Sequence, residues 1–191
     1  MLLGLVAPAA AERRTNGLAL DVVCRCERPA WPPNPGDPVL EASVGVGRAS
    51  FEAPASETRT TADVAGGFGA YVSPDLAVSL RGHVQVGTGP TTLTSIGLDT
   101  RWMQAQRGCK CRRGPRPRYF VSIGPAIGRV HGPGEVDALV ALLEGRFGVY
   151  YRGAHVSIDV LAGHALANDS IAPEAALTWL SRAGISAGID Y

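Results

Sequence analysis

The chain has 191 residues, with 18 Lys and Arg against 17 Asp and Glu and a formal net charge of +1. Near-neutrality argues against a protein whose main business is neutralising phosphate, because nucleic-acid binders carry a basic excess spread over one face. No stretch approaches the ~20 apolar residues of a membrane-spanning helix, and the length suits one domain able to bury a core or close a barrel.

The first eleven residues, MLLGLVAPAAA, form a short apolar run ending in small residues just before Glu12, which reads as the end of an export signal lacking its basic segment. A frayed apolar terminus is the plain alternative. Residues 12–38 are irregular: ERRTNG, an apolar patch LALDVVCRC, then ERPAWPPNPGDP, whose prolines deny both helix and ladder. This segment reads as an N-terminal extension, and residues 39–191 as the folded unit.

From Val39 the text alternates with period two and is cut by Gly, Pro, Asn and Asp, which predicts strands over approximately 39–51, 61–72, 76–87, 92–103, 119–130, 138–151, 155–164 and 175–191. In the clearest run Leu76, Val78, Leu80, Val84 and Val86 share a face with Gly82, and Ala77, Ser79, Arg81, His83, Gln85 and Gly87 share the other. Ser73-Pro74-Asp75, Gly87-Thr-Gly-Pro90 and Arg152-Gly153 predict hairpins, so sequence neighbours become spatial neighbours. The fold class is all-β, an eight-stranded antiparallel up-and-down barrel.

The polar parity collects Glu41, Asp63, Arg81, His83, Asp99, Arg101, Glu144, Arg146, His155, Asp159, Arg182 and Asp190, diluted by Gly and Ser. A two-residue turn at Arg152-Gly153 places Arg146 opposite Asp159, and a short connection between the third and fourth runs places Arg81 opposite Asp99. A polar face without lysine, rich in glycine and in acid–base pairs, suits a cramped interior better than a solvated exterior. Trp102, Tyr119, Tyr151 and Tyr191 fall on the apolar parity at one end of their strands, as an interfacial girdle does, with Trp179 near the other end and Phe147 between. The alternative architecture is a soluble exported barrel holding an apolar ligand.

The Gly-x-Gly strands, the segments YVSPDLAVSLRG (71–82) and FVSIGPAIGRV (120–130), and the ending GISAGIDY resemble the OmpA-like eight-stranded outer-membrane barrels over about four fifths of the chain. The resemblance implies a bacterial outer-membrane location among outer-membrane lipids, a lumen plugged by charged pairs, and recognition of Ala183 to Tyr191 by the barrel-assembly machinery. The residues themselves read as a monomer with a structural or surface-interaction role, no catalytic site, no cofactor, no resident metal and no nucleic-acid partner. The short outer connections argue against an elaborate adhesin.

With the N-terminus in the periplasm, the fourth connection, 104–118, is periplasmic, on the same side as the extension. Cys24 and Cys26 can then approach Cys109 and Cys111. Two disulfides between extension and turn are the first reading in an oxidising compartment; a four-cysteine zinc site and free thiols are the others. Arg107, Lys110, Arg112, Arg113, Arg116 and Arg118 make this turn basic, able to grip anionic lipid headgroups or an envelope polymer, or simply solvated.

Some outer-membrane barrels deacylate lipid A with a Ser and a His, so each histidine bears on an enzyme alternative. His155-Val-Ser157 has a suggestive spacing but lies inside, near the periplasmic end. His164, in GHALAND, lies at the outer end with Leu166 where the serine is required. His83 sits mid-strand among lumen charges, and His131 precedes Gly-Pro-Gly with no visible partner. No P-loop, GxSxG, HExxH or EF-hand pattern occurs.

Overall fold

A computed structural model describes residues 34–52, 57–88, 91–104, 117–132, 136–169 and 176–190. Eight strands follow in chain order: β1 Pro38–Glu52, β2 Glu57–Ser73, β3 Leu76–Gly87, β4 Thr92–Met103, β5 Arg118–Gly132, β6 Val136–Tyr151, β7 Ala154–Asn168 and β8 Trp179–Asp190. Each pairs antiparallel with its sequence neighbour, and β8 returns to β1, so the sheet closes into a barrel without an edge. No helix occurs among the described residues. The expected signal, the extension as far as residue 33, Cys24, Cys26, Cys109, Cys111, Tyr191 and the basic residues 107–116 lie outside the described residues, and the expected end of the extension at residue 38 falls where β1 begins.

The strands overrun the periodic stretches wherever the ladder continues past the alternation. β2 starts at Glu57, opposite Phe51, rather than at 61, and β7 runs to Asn168, opposite Ala138, rather than to 164. The last run is shorter than its pattern suggests, because residues 176–178 are not strand. There Leu177 turns into the core while Asn168 Oδ1 accepts from its N–H, and Thr178 N–H donates to the Glu52 carbonyl.

Two connections fix the register of the functional residues. Arg152 and Gly153, with φ of 52° and 84°, form the two-residue left-handed turn that suits the strand twist, and Arg146 stands opposite Asp159. The β3–β4 connection behaves differently. Gly87 N–H donates to Thr91 O, which sets Ser79 opposite Asp99 and Arg81 opposite Gly97, two residues away from the pairing that the sequence suggests.

The β4–β5 ladder has a gap: Gly97 pairs with Ala126 and Thr100 with Ile123, but Leu98 and Asp99 have no partners between them. Pro125 supplies the reason. Its carbonyl faces β4, where a β-carbon on Gly97 would strike it, so the missing proline N–H is the donor owed to Leu98. Pro125→Val restores that donor on an outward position, and the expected result is a gain of about 0.5–1.5 kcal/mol, read as a higher urea midpoint at unchanged slope. An unchanged or lower midpoint would show that the proline is not what interrupts the seam.

Candidate functional site

Period-two geometry sends alternate side chains to opposite walls, and here the outer wall is apolar over the layer in which the inner wall is charged. The outer wall carries Leu40, Val44 and Val46 on β1, Val64, Phe68 and Val72 on β2, and corresponding apolar residues around the barrel to Ile185 and Ile189 on β8, all exposed. Trp102, Tyr119 and Tyr151 stand in this wall at the end where the chain enters β1, with Tyr119 stacked on Phe147 at 6.3 Å. Phe147 thus stands inward of that end along the strand and packs on Tyr119. Trp179 stands at the opposite end, and Tyr191 is outside the described residues.

The inner wall is stratified. At the girdle end, Val39, Tyr71, Ala77, Met103, Phe120 and Tyr150 pack into an apolar plug. At the far end a larger plug includes Phe51, Leu93, Val130, Val140, Leu142, Leu161, Leu177 and Leu180. The charged residues occupy the layer between the plugs. Alternation alone assigns these apolar residues to the charged parity and so does not reveal them; the signal that could have done so is apolar residues on that parity only at the strand ends.

Glu41 is the hub of the lower lumen. Its carboxylate takes Arg101 and Arg146, with Arg81 Nε at 3.7 Å. Arg101 also pairs with Asp190, and Arg146 Nη2 donates to Asp99 Oδ2 at 2.6 Å. Although Arg146 faces Asp159 across the β6–β7 ladder, its guanidinium reaches over the lumen, and Asp159 instead accepts from Ser157 Oγ at 2.7 Å. Higher up, Arg182 pairs with Asp63, and Glu144 accepts from Arg81 Nη1 at 3.3 Å and Ser95 Oγ at 3.1 Å.

Each lumen histidine sits between two carboxylates. His83 has Asp63 at 3.5 Å and Glu144 at 3.9 Å; His155 has Asp190 at 3.5 Å and Glu41 at 3.8 Å. Small residues make this density of long side chains possible in a barrel whose interior just accommodates them. A β-carbon on Gly148 would meet the Phe120 ring, and one on Gly188 the His155 imidazole. Among the described residues a cavity of about 10 Å³ is bounded by Asp63, Arg81, His83 and Glu144, room for about one water molecule.

Four residues stand differently from their sequence reading. Arg81 has no ladder contact with Asp99 and pairs with Glu41 and Glu144. Arg118 is not a solvated turn residue: it opens β5 and is 3% exposed, because inward parity at the strand start aims it into the mouth, where it donates to Gln104 O at 3.0 Å. His131 has a partner, with Nδ1 3.5 Å from Asp137 Oδ1. Ser157 bonds Asp159 and Ser186 rather than His155, so His-Val-Ser is a spacing without a catalytic contact. His164 is exposed at the outer end beside exposed Leu166.

An apolar outer wall around a charged, closed interior inverts the layout of a water-soluble barrel and is the layout of a transmembrane one. The solved structure of Neisserial surface protein A superposes with a TM-score of 0.54 at 14% identity, covering 80% of this chain and 95% of that one. The chain has the fold of the OmpA-like eight-stranded outer-membrane barrels. The N-terminal β-barrel domain of Pseudomonas aeruginosa OprF agrees, with a TM-score of 0.50, 13% identity, and coverage of 83% of this chain and 100% of that one. No family model and no curated protein matches the sequence. The likeness to the outer-membrane barrels thus lies in strand number, closure and wall polarity.

Proposed function

We propose that the protein is a non-enzymatic barrel of the bacterial outer membrane with a structural or surface-interaction role, its lumen a plug and not a pore. The observation that carries this reading is the stratified interior: among the described residues, apolar plugs lie above and below an ion-pair layer whose cavity of about 10 Å³ has room for about one water. Outer-membrane lipids are its surroundings, the barrel-assembly machinery acts on the segment from Ala183 to Tyr191, and the barrel is a monomer. Bridges from Cys24 and Cys26 to Cys109 and Cys111 would tie the extension across the periplasmic mouth, which a peptide map of the unreduced protein checks.

Fractionation tests the reading directly. The exported protein should need detergent for solubility, should migrate on gels at two positions depending on whether the sample was boiled, and should give no unitary current in planar bilayers. A detergent-free soluble monomer would remove the membrane assignment, and steady single-channel openings would remove the plug.

A further inference from the structure

Every described arginine except Arg48 and Arg152 has a carboxylate in ion-pair contact. Both exceptions are exposed, and they lie at opposite edges of the apolar outer wall. We propose that Arg48 and Arg152 are binding positions for the phosphate of net-anionic lipid headgroups, one at each face of the membrane. The proposal rests on the transmembrane reading of the barrel.

Arg48 faces outward on β1, one step beyond the apolar row of Val46, Ala62 and Ile185. Its cross-strand neighbours are Thr60 and Ala183, and the next step outward is Ser50 opposite Thr58, their hydroxyls 3.1 Å apart. A guanidinium with hydroxyls beside it and no adjacent carboxylate is a donor set for phosphate, whose oxygens accept paired N–H groups from the planar fork. Its place at the boundary of the apolar wall puts that fork at headgroup depth.

Arg152 occupies the tip of the β6–β7 turn at the other end. Its guanidinium carbon lies 5.4 Å above the Tyr151 ring, and Tyr151 is part of the aromatic girdle with Trp102 and Tyr119. The ring holds the guanidinium at the level where interfacial aromatics meet headgroups. The turn makes the choice of residue pointed: φ is 52° at Arg152, a conformation that favours Asn or Gly.

The test uses the full chain refolded into vesicles of phosphatidylcholine, with and without phosphatidylglycerol, and its urea unfolding equilibrium. The anionic lipid should raise the folding constant of the unmodified protein by about fivefold for each arginine. Arg48→Gln and Arg152→Gln should each lose about fivefold of that gain and leave stability in pure phosphatidylcholine little changed, and the Lys variants should keep the gain. An equal gain in the double Gln variant overturns the proposal, as does an equal gain from inorganic phosphate over phosphatidylcholine vesicles, which would assign a free anion. A barrel that folds in phosphatidylcholine but gains nothing from phosphatidylglycerol overturns this inference alone; a chain that inserts into neither vesicle overturns the transmembrane reading with it.

Discussion

Glu41→Gln is expected to lower folding stability by about 3–5 kcal/mol, the size seen when one member of a buried ion-pair network is removed. Glu41 is the one carboxylate contacted by Arg81, Arg101 and Arg146, so its neutralisation weakens three cations at once. Arg101 keeps Asp190 and Arg146 keeps Asp99, but the layer then holds more positive charge than those partners can offset. Urea unfolding in phosphatidylcholine vesicles gives the measurement, with Ser157→Ala as the comparison at about 1.5–3 kcal/mol for a hydrogen bond to a carboxylate. A Glu41→Gln loss no greater than that of Ser157→Ala would mean that the lumen charges are individually dispensable.

Phe120→Ala should cost a similar 3–5 kcal/mol for a different reason. The ring is 2% exposed, fills the space opened by Gly148, and meets His155 edge-on at 5.7 Å. Arg101 and Arg146 lie over it at 5.4 and 6.0 Å, so the ring closes the girdle-end plug and faces the ion-pair layer directly above. Its removal leaves a void between that layer and the mouth, and water entry should accompany the lost stability. The expected signature is a lower urea midpoint together with measurable ion leak from loaded vesicles. A destabilised barrel that stays tight would place the seal in the far-end plug around Leu180 and Leu142.

The barrel is legible in the sequence because period-two alternation acts residue by residue: Leu76 to Gly87 shows both walls of β3 without any partner being known. The inward turn of Glu41, Asp63 and Arg182 follows from the same parity. Which charge meets which does not. Arg146 stands opposite Asp159 because a two-residue turn leaves no freedom, whereas the Arg81 register depends on how the β3–β4 connection closes at Gly87 and Thr91. Contacts across the lumen, such as Arg146 to Glu41, depend on barrel closure and on side-chain length, which alternation does not encode. The plugs escape for a related reason, since Leu180 and Phe120 share a parity with the charges and only depth along the strand separates them.

The cross-lumen pairs also constrain how the barrel can be built. Glu41 and Arg146 are 105 residues apart in the chain, Asp63 and Arg182 119, and Arg101 and Asp190 89. No single hairpin contains both members of any of these pairs, so a sheet still open inside the bilayer would present unmatched carboxylates and guanidiniums to hydrocarbon, at several kcal/mol each. Stepwise insertion of hairpins is therefore the route the sequence penalises. Entry of the charges into the membrane and closure of β8 onto β1 are tied into one cooperative event, with the last strand acting as the latch that brings Arg182 to Asp63 on β2 and Asp190 to Arg101 on β4.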